Sequence, residues 1–405
     1  MSSDRRAAQR RLSLRRAAPE TFNIMVAGRR GVGKSTLLQT ICDSVPDLQI
    51  ETLSVGDRKL LEKTDEGTVD PFCIFDTQSA TSQVRRCRMR VSEPGLPPVN
   101  VELVDTPGID TSNDAFWEVE QRLQLAVEEE LQPRRGRDAQ AALIHAVVYV
   151  VAPPAGADMR TRLDAAVDLL TAADVAALRQ LAALTNVLVA VGKCDIVEAG
   201  NWALFRDGSF MRDVGDLVAP ARLFAFADLP GTQPEPISSV RKYSRNLVQR
   251  MPFLLCGSAH VDEWQQMRLP EFQASRSLVD ISDWRALESR HNRACASSPN
   301  CQTTAIPITR QGQRRTIALV REYPWGTLNI ANPAHCDFLL LTDVLFASYR
   351  RSLVCWVKEH FYETYRMQRM AVRMILAPDA GSALYGRPSA TDSKQQPRTS
   401  SAAVV

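Results

Sequence analysis

The amino-acid sequence predicts an α/β fold: a largely parallel sheet with helices on both faces. Three observations carry that prediction. Short apolar runs at Phe22–Ala27, Ala142–Ala152 and Asn186–Val191, the last two rich in valine, have the length and composition of buried strands. Helix-forming stretches at 36–44, 113–131 and 165–184 alternate with them. The first run leads directly into a glycine-rich loop that opens a helix. The 405 residues, 45% hydrophobic and 23% charged, exclude wholesale disorder, collagen and coiled-coil rods.

Each element follows from its local pattern. Phe22–Ala27 is a buried strand by length, and Leu37, Leu38 and Ile41 give 36–44 one apolar helical face. Residues 45–83 are polar and weakly periodic, which predicts loop with local elements. Gln83–Val91 and Val99–Val104 alternate around the turn residues Glu93–Gly95, a hairpin signature. Asn113–Leu131 is an acidic helix, Ala165–Leu184 an alanine- and leucine-rich one, and Phe253–Cys256 a short core strand. Residues 258–309 lack a clear period and read as an insertion. Arg315–Val320 reads as a strand and Asp337–Arg369 as a long helical region. The expected organisation is a basic arm at 1–20, a principal domain at 21–366 and a disordered tail at 370–405, rich in Pro, Gly, Ser, Thr and Gln from Ala377 onward.

Charge is unevenly placed. The chain sums to +3, but Arg5, Arg6, Arg10, Arg11, Arg15 and Arg16 give the first 20 residues +4, leaving −1 for the rest. A neutral body argues against a nucleic-acid-binding core and makes the arm the candidate contact with an anionic surface. The longest apolar run, Ala141–Ala152, is interrupted by His145 and is too short for a bilayer span. The nine cysteines form no disulfide framework and imply a reducing compartment.

Three motifs carry chemistry, each behind a predicted strand. Gly28, Arg29, Arg30, Gly31, Val32, Gly33, Lys34 and Ser35 match G-x-x-x-x-G-K-[ST] and, with Thr36, form the candidate phosphate site. Backbone N–H groups of such a loop curl around phosphates at a helix N-terminus, Lys34 adds charge, and the Ser35 hydroxyl offers a Mg²⁺ ligand. Asp105-Thr-Pro-Gly108 places a Mg²⁺-holding carboxylate at a strand end and an N–H, that of Gly108, where a γ-phosphate is sensed. Lys193 and Asp195 supply a stem to lie over a base and a carboxylate that accepts from the guanine N1 and N2 edge, which adenine cannot offer. The order of the motifs makes the fold a P-loop GTPase-type sheet and selects GTP or GDP, with Mg²⁺, over ATP.

Beyond this core the sequence resembles the septin family. The resemblance rests on Arg321-Glu-Tyr-Pro-Trp-Gly326, Asn332-Pro-Ala-His335-Cys-Asp337-Phe338 and Tyr362-Glu-Thr-Tyr365-Arg366. Phe253-Leu-Leu-Cys-Gly257-Ser and the lysine-x-aspartate base motif without a leading asparagine add to it. It covers roughly 22–366 apart from 258–309, with 315–366 as the septin-type C-terminal extension. The resemblance implies that Gly257 and Arg321 contact the guanine and that Trp325 sits at a subunit contact across the nucleotide. It implies filaments or hetero-oligomers with other septins, phosphoinositide or other anionic membrane lipid at residues 5–16, and roles in cytokinesis. The implied location is the cytoplasm, cytoskeleton, cell cortex or septum. It also implies a switch threonine; spacing from Asp105 favours Thr81, with Thr77 in reserve.

The sequence departs from that pattern in places. Arg29 and Arg30 crowd the phosphate loop, Ile109 and Asp110 replace Phe-Gly after Gly108, and residues 153–162, with Arg160 and Arg162, replace a glycine-histidine pair. The tail lacks heptads. Ile109 cannot orient a water, so slow or absent hydrolysis is expected, and one of Arg160 and Arg162 is expected to reach a neighbour's nucleotide. Two alternatives stand beside the assembly protein: a monomeric or mitochondrial P-loop GTPase switch, and a pseudo-GTPase holding nucleotide structurally. For the arm, a solvated segment and a mitochondrial presequence stand beside lipid binding. His291, Cys295 and Cys301 make a thin zinc constellation without a second ligand pair, and His145 reads as a satisfied core histidine.

Overall fold

The computed structural model describes residues 20–45, 48–56, 58–62, 74–75, 77, 80–91, 98–110, 112–131, 139–152, 170–196, 251–257, 305–310, 313–323, 326–330 and 336–376. An eight-stranded sheet has the order β3-β2-β4-β5-β1-β6-β7-β8. The strands are β1 (Glu20–Gly28), β2 (Leu48–Val55), β3 (Arg58–Glu62), β4 (Arg85–Val91), β5 (Val99–Asp105), β6 (Ala146–Val151), β7 (Val187–Val191) and β8 (Phe253–Leu254). From β5 to β8 all neighbours run parallel, with Met25 opposite Val104 and Val147, whereas β2, β3 and β4 join antiparallel. The parallel strands are the ones with continuous apolar runs: β6 and β7 are buried at every residue.

Helix α1 (Lys34–Ser44) buries Leu37, Leu38 and Ile41 and packs on β1 and β5. Helix α2 is Asp114–Leu131. Helix α3 (Ala172–Ala182) opens with a Thr171/Asp174 capping box and packs on β6 and β7. The expected strand Ala142–Ala152 begins only at Ala146; residues 139–142 form a 3₁₀ turn held by Asn23, whose amide donates to the carbonyls of Ala141 and Leu143 at 2.8 Å.

The 45–83 segment holds β2 and β3, which its weak periodicity hid. The β2–β4 register shifts between Ile50 and Thr52, so the buried residues Leu48, Ile50 and Leu53 do not keep a two-residue period. The hairpin of Gln83–Val91 with Val99–Val104 is present as antiparallel β4–β5. Part of 258–309 is regular: β9 (Ala305–Arg310) pairs antiparallel with β10 (Gln313–Ala318). The strand expected at Arg315–Val320 divides at Leu319; β11 (Val320–Tyr323) pairs onward with β12 (Gly326–Asn329).

The long helical region is interrupted twice. Helices α4 (Phe338–Thr342) and α5 (Arg350–Trp356) are each followed or preceded by π-helical turns, at Asp343–Ser348 and Val357–Tyr362. This run is tied to the sheet: Asn186 Nδ2 donates to Leu353 O at 3.0 Å, Arg350 pairs with Glu20 at 3.2 Å, and Phe346 meets Phe22 edge-on. The described residues up to Tyr362 belong to one compact unit, and helix α6 (Glu363–Leu376) to a second. Helix α6 includes residues 370–376, where the sequence predicts disordered tail.

Candidate functional site

The candidate site lies at the carboxyl ends of the parallel strands, where open α/β sheets place ligands. β1 ends in Gly28, with φ +137°, and a Cβ there would overlap Val150 O. Gly33, left-handed at φ +98°, starts α1 with no side-chain cap and no acidic residue in the first turn. The Lys34 ammonium, buried in the loop, donates to Gly28 O at 3.0 Å and Arg29 O at 2.8 Å. Burial pulls its pKa down, against the raising charges of Asp105 and Asp110.

Ser35, Asp105 and Thr81 meet in one cluster. Ser35 Oγ donates to Asp105 Oδ2 at 2.6 Å, Thr81 Oγ1 donates to the same oxygen at 3.0 Å, and the two hydroxyls lie 3.0 Å apart. It is Thr81, not Thr77, whose hydroxyl reaches this carboxylate. Asp105 Oδ1 is buried without a hydrogen-bond partner. Burial raises the Asp105 pKa, while Ser35, Thr81 and Lys34 oppose the shift. A buried carboxylate oxygen left over beside two hydroxyls fits the hard oxygen donor set of Mg²⁺. Among the described residues no cluster of three or more His, Cys, Asp or Glu could hold a metal. The zinc constellation His291, Cys295 and Cys301 lies outside the described residues.

The loop after β5 folds onto the phosphate loop. Ile109 N–H donates to Gly28 O at 3.2 Å, and Asp110 Oδ1 accepts from Arg30 N–H at 2.8 Å. Arg29 turns elsewhere: its Nε lies 3.2 Å from Oδ2 of Asp174. Asp174 is wholly buried, and Tyr149 and Thr171 donate to its carboxylate. The sequence motifs do not bring Asp110, Asp174 or Tyr149 to the site. No motif marks the last two, since a capping aspartate and a strand tyrosine come beside Arg29 only in the folded chain.

The residues expected at the base lie at the same end. Lys193 is exposed and adopts φ +53° after Gly192, which has no room for a Cβ against Val32 O. Asp195 accepts the Cys256 thiol at 3.4 Å, and Arg321 is close enough for its charge to lower the Cys256 pKa, though burial and Asp195 raise that pKa overall. Gly257 lies against Thr36, so the loop after β8 abuts the phosphate loop. Asp337 clamps β8, donating N–H to Leu254 O at 2.8 Å and accepting from Leu254 N–H at 2.9 Å. Trp325, Arg160, Arg162 and the arm at 5–16 lie outside the described residues. His145 is core: its Nδ1 accepts from Asn23 N–H at 2.9 Å, its Nε2 has no partner, and burial lowers its pKa to about 3, so the ring is neutral.

A strand, a glycine loop with left-handed joints and a lysine at a helix start define a P-loop α/β protein. The septin family model matches residues 19–288 and 303–378. Cell division control protein 12 of Saccharomyces cerevisiae is 23% identical over 364 residues, covering 86% of this chain and 69% of that protein. Septin-1 of Rattus norvegicus is 22% identical over 352 residues, covering 85% and 72%. The crystal structure of the septin GTPase domain from Chlamydomonas reinhardtii is 17% identical with a TM-score of 0.43, covering 86% of this chain and 99% of that one. The chain belongs to the septin family, a family of GTP-binding proteins. The family match runs through 258–288, within the stretch the sequence marks as an insertion, and omits 289–302.

Proposed function

We propose that this septin binds GTP or GDP with Mg²⁺ in the loop Gly28–Thr36 and assembles with itself or other septins across that site. The observation that carries the proposal is the Ser35–Thr81–Asp105 cluster, with Asp105 Oδ1 left over at the N-terminus of α1. Ser35 and Asp105 would hold Mg²⁺, which neutralises phosphate charge when bound. Lys34 would exchange its loop carbonyls for phosphate oxygens, and Gly108 N–H would meet the terminal phosphate. Lys193 and Asp195 would read the guanine, with Gly257 and Arg321 beside it. Support for that grouping comes from the Cys256–Asp195 bond and the Gly257–Thr36 contact.

Hydrolysis by the isolated chain is slow or absent, because Ile109 has no side-chain group to orient water. Trp325 anchors the nucleotide-side contact with the next subunit, and Arg160 or Arg162 adds charge to the neighbour's nucleotide. The arginines at 5–16 bind anionic lipid at the cortex, in a division role like that named for the yeast relative. No described helix is long and apolar enough to cross a membrane.

Identification of the nucleotide retained on purification, together with the oligomer mass, tests the core of this reading. Guanine nucleotide on a dimer or larger species is expected, with Trp325→Ala giving monomers. Equal affinity for ATP and GTP, or a nucleotide-loaded wild-type monomer at high concentration, would overturn it.

A further inference from the structure

Asp110 has no part in the binding scheme above, yet it is the side chain that ties the loop after β5 to the phosphate loop. Its Oδ1 accepts from Arg30 N–H at 2.8 Å. The same oxygen lies 2.5 Å, and Arg30 N 2.6 Å, from where a side chain on Gly108 would begin. The exposed carboxylate therefore sits at the junction of Arg30 and Gly108, the end of the cradle assigned to the terminal phosphate. Ile109 N–H adds a second bond between the two loops, to Gly28 O at 3.2 Å.

The group is a true anion at neutral pH. The Arg30 N–H, aided by the charges of Lys34 and Arg29, holds its carboxyl below the usual carboxylate range. Lys34 feels the Asp110 charge in return. Placing a nucleoside diphosphate in this loop adds no charge at the Gly108 end, whereas a triphosphate puts its third phosphate beside Asp110. Two anions in one partly exposed junction repel.

We infer that Asp110 is a specificity-determining residue that selects guanosine diphosphate over guanosine triphosphate, its carboxylate opposing the γ-phosphate at the Arg30–Gly108 junction. The inference rests on the guanine-nucleotide reading above. The loop must give up the Arg30–Asp110 tie, or accept the repulsion, before a triphosphate seats fully. The tether and the charge are separable, because Asp110→Asn keeps an acceptor for Arg30 N–H and loses only the charge.

The test is an equilibrium titration of the full chain with Mg·GDP and with Mg·β,γ-imido-GTP. The wild type is expected to favour the diphosphate by about tenfold at low salt, with the gap narrowing as salt screens the junction. Asp110→Asn and Asp110→Ala are each expected to bring the affinity ratio close to one. An unchanged ratio in Asp110→Asn, or a wild type that prefers the triphosphate, would overturn this inference while leaving guanine-nucleotide binding intact. A wild type that binds neither nucleotide would overturn the guanine-nucleotide reading and this inference with it.

Discussion

Arg122 on α2 lies under the strand that ends in Asp105, and removing it tests how that strand is held. The residue is 8% exposed, and its guanidinium reaches Glu102 through Nη1, Glu118 at 2.6 Å through Nη2, and Ala142 O at 2.9 Å. Arg122→Met keeps most of the stem's volume and deletes the charge. Glu118 retains Arg86, which donates to both of its oxygens. Glu102 retains Arg88 at 3.2 Å, but that side chain is 59% exposed, and such a pair contributes about 0–1 kcal/mol. Glu102 itself is 3% exposed. The substitution thus strands a buried carboxylate, at a cost of about 3–5 kcal/mol. Adding Glu102→Leu removes the stranded charge, and the double variant is expected to recover at least half of the loss. Urea denaturation followed by circular dichroism, with the slope m compared between variants, gives these differences. A loss under about 1 kcal/mol for Arg122→Met, or losses that simply add in the double variant, would refute the reasoning.

Three further outcomes follow. Burial raises the Glu118 carboxyl, but the Arg86 hydrogen bond and the charges of Arg122 and Arg86 more than offset it, so its folded-state pKa lies below 4.5. Its contribution to stability is present above the unfolded value and lost as pH falls through the lower folded one; stability curves against pH should therefore be flatter below about pH 4.5 in Glu118→Gln than in the wild type. Gly257→Ala would drive a Cβ into Thr36 Cγ2, and equilibrium dialysis should show nucleotide binding weakened by about 1–3 kcal/mol, with Thr36→Ser restoring most of it. Thr81→Ala removes one of two hydroxyls on Asp105 and should reduce Mg²⁺-dependent nucleotide affinity about tenfold, a hydrogen bond to a charged group being lost; Thr77→Ala should leave it unchanged in the same titration.

The sequence by itself determined the sheet's parallel half and the motifs at its carboxyl ends. β1, β6 and β7 are buried on both faces, so their composition alone marks them, and the phosphate loop needs glycine at fixed spacing because its backbone turns left-handed at Gly31 and Gly33. Family membership was also legible there, through 321–326 and 332–338 and the match that followed. Only the tertiary structure decided the rest. β2 and β3 lie at the sheet's margin, where the bulge near Ile50–Thr52 breaks the periodicity and a half-exposed strand has little composition to declare it. The pairing of Arg29 with Asp174, the tie of Asp110 to Arg30 N–H and the thiol bond from Cys256 to Asp195 join residues 61 to 145 positions apart. No local spacing encodes such contacts, because they exist only once the loops at the ends of neighbouring strands have been brought together by the sheet.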